Sequence, residues 1–141
     1  SNTTNWFESS IAGVSNWAVT SDSGYVCWRF SLSSTEPYSQ ILTLRAFGWR
    51  VPATANITQI QLSLTYKKTS DGSVTDFYVN LGSWNLSTPR SWDPLGNTFY
   101  NYTYTVPNNY GWTPSQVNAD DFGVSYQIKL GDSTATDALV C

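Results

Sequence analysis

The chain has no histidine and no methionine, only two cysteines in 141 residues, and a charged fraction of just 12%. Each shortage excludes something. Without histidine the usual general base of hydrolytic triads is missing, and so is the commonest ligand of catalytic zinc. Cysteine catalysis loses its customary partner for the same reason, and two cysteines alone do not make a metal site. No Gly-rich phosphate cradle of the Walker or Rossmann type occurs. No run approaches the roughly eighteen apolar residues of a membrane-spanning helix, and no charged-then-apolar signal segment opens the chain. The net charge of −3 gives no basic footprint, so neither nucleic acid nor an anionic membrane is expected as a partner.

What is present is polar, aromatic and uncharged. Aromatic residues reach 16%, with seven Trp and nine Tyr, and Ser, Thr and Asn fill much of the remainder. The length suits one domain with a real core and is too short for two of normal size. The absence of Met even at position 1 fits two histories: an expressed product whose leader was cut off, with "SN" as a tag scar, or a mature secreted protein that has lost its signal peptide. Four N-x-[ST] sequons, at Asn2, Asn56, Asn85 and Asn101, tilt the expectation towards an extracellular or surface location and covalent glycans. In that setting the two cysteines would most simply form one bridge, Cys27 to Cys141, adding roughly 4–5 kcal/mol through the entropy of so long a loop. Two buried free thiols are the alternative.

The dominant period along the chain is two, the signature of half-buried antiparallel strands. In "YVCWRFSL" Val26, Trp28, Phe30 and Leu32 share one face, which leaves Cys27 on the other. "QILTLRAF" groups Leu42, Leu44 and Ala46, and "ITQIQLSLTY" alternates through Ile60, Leu62, Leu64 and Tyr66. Between them "WRVPATAN" carries a proline and no period, as a loop would. Asp71-Gly72 is a hairpin signal leading into "VTDFYVNL", where alternation puts Phe77, Val79 and Leu81 inward. "GSWNLSTPRSWDPLGN" reads as a long loop, and "TFYNYTYTV" puts Tyr100, Tyr102 and Tyr104 on one face, expected to be buried. Thr113, Pro114 and Gln116 form a capping box that starts a short helical turn near 114–119. "FGVSYQIKL" then alternates through Phe122, Val124, Tyr126, Ile128 and Leu130 before the closing "ATDALVC". Seven or eight such strands predict an all-β, two-sheet antiparallel sandwich with Greek-key or jelly-roll connections.

No catalytic residue stands out. A glycosidase would need two carboxylates about 5–9 Å apart, but most of the ten acids fall in turns beside Gly, Ser or Pro, where they bond the local backbone. Asp120 and Asp121 are only a weak signal for calcium, and no cofactor is expected. The tryptophans suggest a second use, because flat aromatic faces stack on sugar rings. Trp49, Trp84 and Trp92 are the candidates, set against the plainer reading that the long loop packs its tryptophans on the sheet.

The stretches "WAVTSDSGYV", "LRAFGWRVPATANITQIQLSLTYKKTSDGSVTD" and "GWTPSQVNADDFGVSYQIKL" resemble β-sandwich modules that recur in bacterial surface proteins and in phage tail and fibre proteins. In these a Phe-Gly strand runs into an IP-x-x-A-x-I turn, and a later W-T-P-x-x-I-N turn leads into F-G-V. The chain departs from the pattern at both ends. It stops at Cys141, where such modules continue a longer strand, and residues 1–15 precede the single sandwich domain of 16–141 as an arm or edge strand with Trp6, Phe7 and Ile11 (and Val14) as anchors. The resemblance therefore implies a non-enzymatic protomer of a glycosylated extracellular or virion-surface fibre, with copies of itself as partners. The arm would dock on a neighbour's open sheet edge and propagate head to tail. The rival expectation is a carbohydrate-binding or host-recognition module of a secreted or phage tail protein, and a small glycosidase ranks well behind both.

Overall fold

The computed structural model describes residues 7–11, 17–22, 25–45, 50–68, 72–92 and 98–140, with side chains from Ser31 onward except Leu139. Among them are eleven strands: β1 (Phe7–Ile11), β2 (Trp17–Asp22), β3 (Tyr25–Leu32), β4 (Leu42–Arg45), β5 (Gln59–Lys68), β6 (Val74–Leu81), β7 (Trp84–Asn85), β8 (Arg90–Ser91), β9 (Tyr100–Pro107), β10 (Gly123–Leu130) and β11 (Thr136–Val140). One helix, α1 (Pro114–Asn118), carries the expected capping box: Thr113 Oγ1 accepts from Gln116 N and Gln116 Oε1 accepts from Thr113 N.

The strands form two antiparallel sheets. One runs β1-β4-β10-β6-β7, with β8 also on β6, and the other runs β2-β3-β11-β5-β9. At most connections the chain changes sheet, as in jelly rolls. The apolar faces meet in one core built from Leu42, Leu64, Tyr66, Val79, Leu81, Val106, Val124, Ile128 and Val140 with their neighbours. The alternation of β10 is complete, with Val124, Tyr126, Ile128 and Leu130 all buried.

The structure alters several expectations. The final strand is not open: β11 pairs with β3 on one side and with β5 on the other, so its main-chain groups are satisfied within the chain. Residues 7–11, read above as part of an arm or edge strand, form β1 at the edge of the six-stranded sheet and pair with β4 of the same chain. The Asp71-Gly72 signal does not close a hairpin, because β5 and β6 lie in different sheets. Glycine is required at 72 for another reason, since a Cβ there would come within 1.9 Å of Thr136 Oγ1. Finally, Tyr104 is buried as expected of its face, but Tyr100 and Tyr102 stay 37% and 38% exposed, because β9 is an edge strand.

The inward face of β6 also differs from simple alternation. Tyr78 pairs with Gln127 and Asp76 with Ile128, so Phe77 is an extra residue in a β-bulge. Phe77 and Tyr78 lie on the outer side, and Val74, Asp76, Val79 and Leu81 point inward. A carboxylate thereby enters the core with no exposure at all. Its Oδ1 accepts from Trp92 Nε1 (2.8 Å) and from the Tyr126 hydroxyl, and its Oδ2 accepts from the Tyr104 hydroxyl (2.5 Å) and from Arg90 Nε (2.9 Å). Arg90 Nη2 lies 2.9 Å from the same Oδ2 as an ion pair. The donors come from both sheets and from the loop after β7.

Removing the charge while keeping the shape leaves the guanidinium buried without its counter-ion. Asp76→Asn is therefore expected to lower the unfolding free energy by about 3–5 kcal/mol, read from urea denaturation. Burial, then the Asp76 hydrogen bond and charge, push the Tyr104 pKa well above its ordinary 10, and burial followed by the Asp76 charge does the same to Tyr126. Both hydroxyls remain protonated in the folded chain after the unfolded chain has begun to release these protons. Their contribution is thus complete below pH 10 and lost as pH rises through the folded-state values. Stability should fall above pH 10 by up to about 1.4 kcal/mol per pH unit for each tyrosine, and an unfolding free energy that stays flat from pH 9 to 12 would refute the buried network.

Candidate functional site

Arg90 links the buried carboxylate to the surface. Its side chain is 17% exposed, and Nη1 donates to the Tyr66 hydroxyl (3.3 Å) while Nε also reaches the Tyr104 hydroxyl (3.2 Å). Burial works against its charge, but the Tyr66 hydrogen bond and the Asp76 charge outweigh that and hold the guanidinium pKa above its ordinary value. Fixed from beneath in this way, the guanidinium carbon lies 3.8 Å from the Tyr102 ring centroid.

Around Arg90 the two sheets meet at one edge of the sandwich, where β9 faces β7 and β8. Alternation along β9 puts Tyr100, Tyr102 and Tyr104 on the side facing the other sheet. Tyr104 is edge-on to Tyr102 at 4.8 Å, and Trp84 of β7 lies 5.7 Å from Tyr104 across the opening. Trp84 follows a turn through Gly82, whose φ of +57° is in the left-handed region that favours glycine. Asn80 braces that turn by donating from Nδ2 to Gly82 O, Trp84 O and Asn85 Oδ1. Deeper in, Tyr66 packs on Trp92 at 4.5 Å. The result is a graded seam: a hydrogen-bonded ionic base, buried rings above it, and half-exposed Trp84, Tyr102 and Tyr100 at the mouth.

Both oxygens of Asp76 accept hydrogen bonds, and the residue has no solvent exposure. Asp120 and Asp121 are exposed beyond α1, and among the described residues no group of three or more His, Cys, Asp or Glu lies together to hold a metal. Among the described residues no helix is long and apolar enough to cross a membrane.

An open groove of about 460 Å³ lies beside the start of β5 and is lined by Val51, Ile57, Ile60 and Val117 with Asn56, Gln59 and Gln61 among the polar groups. Helix α1 holds its wall, since Asn118 both accepts from Val51 N and donates to Val51 O, each at 2.9 Å.

Of the residues singled out in the sequence, Trp84 lies in the seam. Trp92 does not offer a stacking face: it is 5% exposed, packed on Tyr66 and bonded to Asp76, because β8 draws the loop down onto the core. Trp49, Trp6, Asn2 and Cys141 fall outside the described residues, and Phe7, Ile11 and Cys27 are described only as backbone in β1 and β3. Asn56, Asn85 and Asn101 are exposed, the last accepting from Thr65 Oγ1 at 2.6 Å. Sequence reasoning missed Arg90, Tyr102 and the role of Asp76. The available signal was an arginine in a loop otherwise without cations, followed two residues later by a tryptophan.

Neither the protein-family models nor the curated proteins give a match to this chain. A solved structure described as "CBM4 structure and function" is similar, with a TM-score of 0.52, 16% sequence identity, and coverage of 98% of this chain and 91% of that one. At that identity the likeness establishes the fold, a two-sheet antiparallel β-sandwich of nearly the same extent.

Proposed function

We propose that this chain is a non-catalytic, extracellular carbohydrate-binding module that takes saccharides at the Trp84–Tyr102–Tyr100 seam. The carrying observation is the Arg90–Tyr102 stack: a half-exposed ring whose position is fixed from beneath by a guanidinium tied to a buried carboxylate. Preorganised rings lose little freedom when a ligand stacks on them, which suits a polar ligand with an apolar ring face. The similar solved structure, named for a carbohydrate-binding module family, supports the same reading.

A head-to-tail fibre was expected because the last strand looked unpaired. That reason is gone, since β11 is paired on both sides and β1 lies in its own chain's sheet.

Titration against a glycan array should find a neutral oligosaccharide ligand. Tyr102→Ala and Trp84→Ala should each weaken it about tenfold or more with the fold intact by circular dichroism. Binding by no glycan, or unchanged affinity in both variants, would remove the seam as the site. Trp92→Ala should instead cost about 3–5 kcal/mol of stability, because its indole fills the core.

The extracellular setting carries its own test. The β3–β11 ladder reaches Val140 opposite Trp28, one rung before Cys27, which supports a Cys27–Cys141 bridge closing the ladder. A non-reducing peptide map should show the two cysteine peptides as one mass, and two alkylated thiols would exclude the bridge.

A further inference from the structure

The bulge that sends Asp76 inward leaves Phe77 on the outer face of the six-stranded sheet, away from the seam. There it meets Tyr38 edge-on at 5.0 Å, with the two rings 37% and 42% exposed. Tyr38 is held in place by its neighbours: Ser39 N donates to Ile128 O, Leu130 N donates to Pro37 O, and Gln127 Nε2 donates to Ser39 O. The Lys129 ammonium lies 5.0 Å from the Tyr38 centroid and 5.6 Å from that of Phe77. Among the described residues no carboxylate pairs with Lys129.

Strand register extends the arrangement into a row. Tyr38 pairs with Lys129, Lys129 with Thr75, and Thr75 with Ser91. Residues directly opposite across antiparallel strands share a face, so an aromatic ring, an ammonium and two hydroxyls stand side by side. At strand spacings of about 4.8 Å the row is roughly 14 Å long. Two rings set at 71° make a floor and a wall, beside one cation and a line of hydroxyls. The matching ligand has an apolar ring face, several hydroxyls and one negative charge, and a neutral sugar would leave the ammonium without a counter-ion.

We infer that this row is a second saccharide site, distinct from the seam, that binds an acidic sugar unit, a hexuronate, by stacking on Tyr38 and Phe77 and pairing its carboxylate with Lys129. It does not depend on the seam, because the two sites lie on different faces.

The test is calorimetric titration of the intact chain with an oligogalacturonate and with the same oligomer methyl-esterified, at low and at high salt. The acid form should bind, more weakly as salt rises. Esterification, Lys129→Gln and Phe77→Ala should each reduce affinity about tenfold, while Lys129→Arg should retain it and Tyr102→Ala should leave it unchanged. The inference is overturned if the acid form fails to bind, if Lys129→Gln has no effect, if inorganic sulfate competes at equal concentration, or if Tyr102→Ala abolishes binding. Failure of the seam would instead appear as a lack of neutral ligands, with uronate binding intact.

Discussion

Asp76 lies where no water reaches, and a carboxylate in that position is tolerated only if a cation and enough donors come to it. That requirement organises one side of the molecule. The donors must converge from Tyr126 in the centre of one sheet, Tyr104 at the edge of the other, and Arg90 and Trp92 in and after β8. Apolar packing would let these elements slide with modest penalty, because hydrophobic attraction has no direction. Hydrogen bonds to one fixed carboxylate do not allow sliding. The two-residue strand β8 pairs with β6 at Thr75 and Asp76, which brings Arg90 level with the acid.

The same constraint shapes the surface above. A free arginine would spread over many rotamers, and its stacking on Tyr102 would be one state among several. Tied to Asp76 by two contacts at 2.9 Å, the guanidinium has one orientation, and the Tyr102 ring rests on it. Trp84 owes its place to different local chemistry, the left-handed glycine turn and the Asn80 brace. The seam is therefore rigid on both sides although it joins an edge strand to a two-residue strand, elements that would otherwise fray.

Much of the fold was legible in the sequence because period-two patterning reports burial directly. The strands at 59–66 and 123–130, and the Thr113 cap, were found by that means. What alternation cannot report is a shift in its own phase. One inserted residue at Phe77 reversed the faces of its neighbours, and an acid that alternation sets opposite Val79 and Leu81 became the centre of the core. Sheet membership was hidden for a related reason: the hairpin signal at Asp71-Gly72 says that the chain turns but not whether the next strand pairs with the last one. The closing strand seemed unpartnered because its partners, β3 and β5, are far away in sequence. The site was less legible than the fold. Trp84 and Trp92 look alike in the loop, and only β8 pairing decides that one reaches the mouth and the other the interior.

The bulge in β6 connects these observations. Without the extra residue, the strand would carry Val79 and Leu81 inward in phase with Phe77, and Asp76 would face solvent. Arg90 would then have no buried counter-ion, and Tyr102 would lose its fixed support. With the extra residue, the polar side chain goes in and the aromatic one goes out, opposite to the preference of each taken alone. The inward acid is compensated by its network of donors. The outward Phe77 is only partly compensated, by Tyr38 and the Lys129 ammonium, and remains 37% exposed. A small polar residue on the outer side of the bulge would still send the acid inward and would lose only the contacts of Phe77 with Tyr38 and Lys129. A large ring there, beside a cation with no carboxylate among the described residues, is the feature on which the proposed uronate site rests.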